Sequence, residues 1–174
     1  MTKQVSTRPE GSEYAPYYDR YISLVPDDDI AATLVRQLQA TKSLLEDVSE
    51  SKADSSYAPG KWTIKEVLGH IIDAERVFAY RALRIARNDP TPLASFEQDD
   101  YVRYGSFNER TLADLLEEFE CVRRSNIYMF RSLSDEAWNR RGTASDNEVS
   151  VRALAYIIAG HELHHAKVLR EKYL

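Results

Sequence analysis

The chain of 174 residues has a net charge of −5, with 43% hydrophobic and 29% charged residues. This composition suits one soluble globular domain, and no run of about 20 apolar residues is present that could span a bilayer. The acidic balance argues against nucleic acid as a partner, since binding to phosphates requires a basic surface. The single cysteine excludes an internal disulfide, and the polar N-terminus does not resemble a secretory signal, so we expect a cytoplasmic protein.

The N-terminal part of the chain combines an aromatic segment with the first long helical pattern. Residues 1–20 are predicted to form an extension that packs on a domain made by residues 21–174. Apolar residues then follow the helical period over residues 29–49. The three aspartates at residues 27–29 lie where a helix N-terminus favours negative charge, which supports a helix start at this point.

The second helix has the clearest start signal of the chain. Thr63 and Glu66 have the spacing of a capping box, in which each side chain accepts a hydrogen bond from a backbone amide of the first turn. The helical pattern continues to about residue 87 and places His70 on the apolar face. His70 is therefore predicted to point into the core.

Two further helices are predicted in the second half of the chain. The helical period covers residues 111–133 and 150–172, with a short turn over residues 134–138 and no strand pattern. The three connections have roughly 13, 23 and 16 residues, whereas neighbouring antiparallel helices usually need about 2–8. We therefore predict an all-α four-helix bundle in which at least one connection crosses the bundle. Both an antiparallel and a parallel arrangement of the second and fourth helices are compatible with these patterns.

All four histidines of the chain fall in two of the predicted helices. His161 and His165 are four residues apart on one face of the fourth helix, where they replace aliphatic core residues. An unpaired polar ring in a core costs about 1–3 kcal/mol, so His70, His161 and His165 need a shared partner. Three imidazoles that leave coordination positions for water or a thiolate are typical of a catalytic metal site, and we predict that they bind zinc, nickel or a related ion. The competing interpretation is a structural bundle whose histidines hydrogen-bond to one another.

Three polar neighbours of these histidines have open roles. His164 lies about 100° around the helix from the predicted metal face, which favours a surface or supporting position over direct ligation. Asp73, one turn after His70, either orients that imidazole or faces solvent. Glu162 either supports the site from behind a ligand or belongs to an ordinary charged face.

Residues 161–165 also match the H-E-x-x-H motif of zinc proteases. Proteases of that kind take a third ligand downstream, but only nine residues follow the motif here, and Glu171 is the sole candidate among them. A protease is therefore disfavoured.

The third helix carries three side chains of interest besides its apolar stripe. Cys121 is predicted to be a buried, inert thiol, because no histidine lies near it in the sequence. Arg123 and Asn126 lie closer to the apolar stripe and are predicted to line a pocket.

Two motifs of the chain are informative when they are considered together. K-W-T-I-K-E-V-L-G-H covers residues 61–70, and G-H-E-L-H-H covers residues 160–165. At this separation they resemble the DinB/YfiT-like superfamily of small bacterial metalloproteins, over a region from about Tyr21 to Leu174. The resemblance implies a four-helix bundle with an unusual helix order, often a homodimer, and a zinc or nickel site formed by His70, His161 and His165.

The resemblance also implies a class of function. Better-understood members of the superfamily transfer low-molecular-weight thiols to electrophiles. We therefore expect a metal-dependent enzyme of the thiol S-transferase or hydrolase type, with a small thiol and an electrophile as partners and with neither nucleic acid nor membrane. The alternative is a metal-binding or stress-response bundle protein without turnover.

Overall fold

The computed structural model describes residues 7–26 and 29–174, and α-helices dominate it. In chain order the elements are α1 (Asp19–Ile22), α2 (Ile30–Leu45), α3 (Glu50–Ala53), α4 (Ile64–Ala86), α5 (Gln98–Tyr104), α6 (Leu112–Ser132), α7 (Asp135–Asn139), β1 (Arg141–Ala144), β2 (Asn147–Ser150) and α8 (Val151–Val168). One-turn 3₁₀ segments cover Gly11–Glu13, Pro16–Tyr18 and Phe107–Glu109, and α8 continues into a π-helical turn at Leu169–Tyr173. The four long helices α2, α4, α6 and α8 correspond to the four predicted helices. Within the described ranges, none of them is both long and apolar enough to cross a membrane.

Side-chain caps explain where the long helices begin. The capping box predicted at the start of α4 is confirmed: Thr63 Oγ1 accepts from the Glu66 amide at 3.1 Å, and Glu66 Oε2 accepts from the Thr63 amide at 2.7 Å. Asp29 caps α2 by accepting from two backbone amides, while Asp27 and Asp28 lie outside the described residues. The first helix ends earlier than predicted, because Ser49 caps the separate short helix α3 instead of continuing α2.

The four long helices form a bundle in which neighbours in space are not neighbours in sequence. α4 packs against α6 and α8, and α2 packs against the other sides of the same two helices. α4 and α8 are antiparallel, because the Tyr173 hydroxyl donates to the Trp62 carbonyl at one end and Arg140 donates to the Ala86 carbonyl at the other. The connections from α2 to α4 and from α6 to α8 therefore cross the bundle. This confirms the predicted four-helix bundle with crossing connections.

A β-hairpin precedes α8, so the expectation of no strand was wrong. β1 and β2 pair in antiparallel register, with Arg141 opposite Ser150 and Ala144 opposite Asn147. Ser145 and Asp146 form the turn with φ values of 50° and 60°. Two successive residues with left-handed backbone conformation are typical of a tight hairpin turn. The Ser-Asp pair lacks the glycine by which such a turn is normally recognised in a sequence. The four-residue strands are also too short to show a clear alternation.

The aromatic N-terminal segment is held along α8. Glu13 is buried and accepts hydrogen bonds from Ser150 Oγ and Arg152 Nε, each at 2.7 Å. A glycine at position 160 permits the close approach of α1, since a Cβ on Gly160 would lie 2.1 Å from the Tyr21 carbonyl oxygen. These contacts place Tyr21 beside the middle of α8. The domain boundary near residue 20 stays a prediction.

The buried stripe of α6 includes a charged residue and leaves out the cysteine. It includes Phe119, Arg123, Ile127 and Phe130, which follow one another at helical spacing. Cys121 falls outside this stripe and is exposed, so the prediction of a buried thiol was wrong. Arg123 lies on the stripe and is fully buried.

Candidate metal centre

Three of the four histidines meet inside the bundle. His70 comes from α4, and His161 and His165 come from α8. Nε2 of His161 lies 2.9 Å from Nε2 of His70 and 3.1 Å from Nε2 of His165. The candidate ligand nitrogens of all three residues lie within 4.8 Å of one another. The structure therefore brings together the three side chains that the sequence singled out.

Aromatic rings surround this cluster and keep it apolar. The Trp62 ring is centred 4.9 Å from that of His70, and the Tyr21 ring is centred 5.3 Å from that of His161. Phe78 adds an edge-on contact to His161 at 6.2 Å. Because water is largely displaced, an imidazole in this position is favoured in its uncharged form.

The pKa values of the cluster reflect this burial. Burial lowers the pKa of His70 to about 4 and, together with the neighbouring imidazoles, that of His165 to about 3. The same causes hold the pKa of His161 well below its usual range. All three rings are therefore neutral at pH 7, and neutral imidazole is the form that coordinates metals.

The close approach of the three ring nitrogens is explained better by a shared cation than by hydrogen bonds between the rings. An imidazole nitrogen carries either one hydrogen or one lone pair in the ring plane, so Nε2 of His161 cannot form two well-directed hydrogen bonds. Its contacts to His70 and His165 are nevertheless both short, at 2.9 and 3.1 Å. Two nitrogens that share one tetrahedral zinc ion are about 3.3 Å apart, given zinc–nitrogen bonds of about 2.0–2.1 Å. His161 thus lies at a suitable distance from each neighbour to share a divalent ion, and His70 and His165 would need to move closer together to complete the set, whose nitrogens lie within 4.8 Å of one another.

The other polar residues considered in the sequence do not join the cluster. His164 packs edge-on against Tyr21, with ring centres 5.5 Å apart. Asp73 is half-buried, and its carboxylate lies 3.7 Å from the guanidinium of Arg76. Burial raises the pKa of Asp73, and the charge of Arg76 partly opposes this shift.

Glu162 faces the opposite side of α8 and belongs to a buried ion-pair network. Arg123 Nε and Nη2 each lie 2.8 Å from a carboxylate oxygen of Glu75, and Nη1 lies 2.7 Å from Glu162 Oε2. Thr41 Oγ1 donates to Glu162 Oε1 at 2.6 Å. Asn126 Nδ2 donates to Glu75 Oε1 at 3.0 Å. Burial raises the pKa of Glu162, while Arg123 and Thr41 lower it.

This network corrects and extends the sequence analysis. Arg123 is fully buried against Glu75 and Glu162, whereas Asn126 donates to Glu75 and also borders a cavity of about 650 Å³ between α4 and α6, away from the histidines. Glu75 was missed, although its place four residues after Ile71 on the apolar face of α4 could have identified it.

Two cavities reach the histidine cluster from solvent. One, of about 380 Å³, is bordered by His165. The other, of about 280 Å³, is bordered by His70 and His161. Asp99, on α5, belongs to the walls of both. Cavities of this size are suited to small-molecule ligands.

Fold and site together define a four-helix bundle with an unusual helix order and three facing imidazoles in its interior. The sequence profile of the DinB superfamily matches residues 33–169, and the chain belongs to this superfamily. Among solved structures, the chain is similar to YfiT from Bacillus subtilis, described as a probable metal-dependent hydrolase with an unusual four-helix bundle topology. The TM-score is 0.72 at 16% identity, covering 94% of this chain and 89% of YfiT, so the similarity concerns the fold. No curated protein sequence matches the chain.

Proposed function

We propose that this chain is a metal-dependent enzyme of the hydrolase type whose metal is held by His70, His161 and His165. The observation that carries the proposal is the pair of short Nε2 contacts at His161, which one ring nitrogen cannot satisfy by hydrogen bonding. The description of YfiT as a probable metal-dependent hydrolase supports the same class. Zinc and nickel are the proposed ions, since both bind neutral imidazole.

The protein's own residues perform the other parts of the proposed role. Three ligands leave coordination positions for a substrate or a nucleophile, which is the pattern of catalytic sites. The aromatic rings around the cluster limit its contact with water, and the two cavities admit a small molecule. When bound, a divalent ion supplies Lewis-acid chemistry, which activates water or a thiol for nucleophilic attack.

The arrangement of Glu162 distinguishes the proposed site from that of the H-E-x-x-H proteases. In those enzymes the glutamate of the motif is the general base. Here the carboxylate of Glu162 is bound by Arg123 and Thr41 in the interior, with a side chain that is only 2% exposed.

Thiol transfer is the second reaction proposed for the same site. The cavity next to His165 carries Lys61 on its wall, and a cation at this place suits the carboxylates that low-molecular-weight thiols commonly carry. A small thiol and an electrophile would then be the partners. We place either reaction in the cytoplasm, where the exposed thiol of Cys121 remains reduced. The alternative is a binding protein without turnover.

Metal analysis tests the site. Protein purified without a polyhistidine tag should contain about one equivalent of zinc or nickel, and His161→Ala should lose it. His164→Gln is the matched control, because its ring is next in sequence to a proposed ligand but outside the cluster, and it should retain the metal. Absence of metal from the wild-type protein, even after incubation with zinc, would overturn the proposal.

Trp62 offers an optical measurement of the same event. The chain has two tryptophans, so Trp138→Phe leaves Trp62 as the sole indole, centred 4.9 Å from the His70 ring. Titration with Co²⁺, a quencher, should reduce its fluorescence to a stoichiometric end point, and His161→Ala should abolish the effect.

Turnover separates an enzyme from a binding protein. We expect the zinc-loaded protein to hydrolyse 4-nitrophenyl acetate, or to conjugate monochlorobimane with one of several small thiols, faster than His161→Ala. Equal rates for both proteins in both assays would contradict an enzymatic role and leave the metal-binding alternative.

A further inference from the structure

The short helix α5 stands over the open side of the histidine cluster. Val102 is buried at 5% exposure and anchors α5 on α4. The Phe96 ring, just before α5, is centred 6.4 Å from that of Phe78 and 5.1 Å from that of Tyr101. Because Phe78 also contacts His161, these contacts hold the first turn of α5 near the cluster.

Asp99, in that first turn, lies where the two cavities meet. The cavity bordered by His165 and the cavity bordered by His70 and His161 both have Asp99 in their walls. Its side chain is exposed, so the carboxylate is accessible to molecules in either cavity. Among the described residues, the only other carboxylate in these walls is Glu97, which borders one cavity.

The other carboxylates near the cluster are bound elsewhere. Glu162, the base that the H-E-x-x-H motif would supply, is paired with Arg123 and Thr41 on the far side of α8. Asp73 is half-buried beside Arg76 and does not border either cavity. A base for the proposed reaction must be reachable by a nucleophile in the cavities, and Asp99 meets this condition on both sides.

We infer that Asp99 is the general base of the reaction, an assignment that rests on the proposed hydrolase function. The carboxylate of Asp99 takes a proton from a water molecule as the water oxygen forms a bond to the carbonyl carbon of the substrate, whose π electrons move onto the carbonyl oxygen. That electron pair then re-forms the double bond while the bond to the leaving group breaks. The protonated Asp99 returns the proton to the departing group. One water is consumed, and Asp99 ends as it began.

The test compares Asp99→Asn with Asp100→Asn in zinc-loaded protein. Asp100 is the adjacent exposed carboxylate of the same helix turn and borders neither cavity. Since general bases contribute about 10²–10⁴-fold, Asp99→Asn should lower kcat for 4-nitrophenyl acetate by about 10²-fold or more. KM, zinc content and thermal unfolding should be unchanged, and Asp100→Asn should match the wild type. Formate should restore part of the activity of Asp99→Ala without stimulating the wild type.

The outcomes separate this inference from the function on which it rests. Wild-type protein that binds zinc but does not hydrolyse the ester contradicts the proposed hydrolase itself. An active wild type with an equally active Asp99→Asn overturns only the role of Asp99. Loss of zinc from Asp99→Asn would make Asp99 a metal ligand and would also overturn its assignment as the base.

Discussion

Replacement of Arg123 by methionine should be one of the most destabilising single changes in this protein. Arg123 is fully buried and lies between Glu75 and Glu162, which are each 2% exposed. Met fills a similar volume but removes the only charge that compensates the two carboxylates in this network. Breaking a buried ion pair from one side costs about 3–5 kcal/mol, because a charge is left unpaired in the interior.

Two remaining hydrogen bonds limit the expected loss. Thr41 still donates to Glu162 at 2.6 Å, and Asn126 still donates to Glu75 at 3.0 Å. We therefore expect Arg123→Met to lower the free energy of unfolding by about 3 kcal/mol, near the lower end of that range. For a chain of this size, this is a decrease of roughly 6–12 °C in Tm. It would be a large part of a typical total stability of about 5–15 kcal/mol.

Urea unfolding followed by circular dichroism measures this effect, and the adjacent arginine provides the control. Arg124 is 60% exposed and pairs with Glu120 at 3.3 Å, so Arg124→Met should change the stability by about 0.5 kcal/mol or less. Adding Glu75→Gln and Glu162→Gln to Arg123→Met should recover at least half of the loss, since no buried charge then remains unpaired. Equal stabilities for Arg123→Met and Arg124→Met would refute the reasoning.

Two further predictions concern the packing and the ionisation of the site. Gly160→Ala should lower the stability by about 1–3 kcal/mol in urea, because the new Cβ would meet the Tyr21 backbone at 2.1 Å. Unchanged or increased stability, as glycine-to-alanine changes in helices usually give, would contradict the tight contact. Burial holds the pKa of His70 at about 4, below the value of about 6.5 for an unfolded chain, so the unfolded state binds more protons between these pH values. The metal-free protein should therefore lose about 3 kcal/mol from this group as the pH falls from 6.5 to 4, and urea unfolding of His70→Leu should show a flatter pH profile.

Local signals predicted most of the fold. The capping box of Thr63 and Glu66 and the helical period of the apolar residues identified the four long helices. Long connections indicated that the helix order differs from the chain order. By contrast, the β-hairpin before α8 depends on left-handed backbone at Ser145 and Asp146, which these residue types adopt only where the context requires it.

The sequence identified the three histidines of the candidate site but not the buried ion pair between Glu75 and Arg123. The helical spacing of His161 and His165 and the equivalent position of His70 on α4 were sufficient to select the cluster. Pairing between Glu75 and Arg123 could not be predicted in the same way, because it depends on which helices are neighbours in space.

The H-E-x-x-H match shows how one helix can present two different polar surfaces. His161 and His165 are one turn apart and face α4, whereas Glu162 is rotated by about 100° and therefore faces α2 and α6. In a zinc protease the glutamate of the motif faces the substrate. Here α2 and α4 pack against α8, so the same glutamate is buried and pairs with Arg123. In the proposed site, the motif would therefore provide two ligands without a base. A base for the proposed reaction would therefore have to border the cavities beside the cluster, and Asp99 on α5 is the carboxylate that borders both of them.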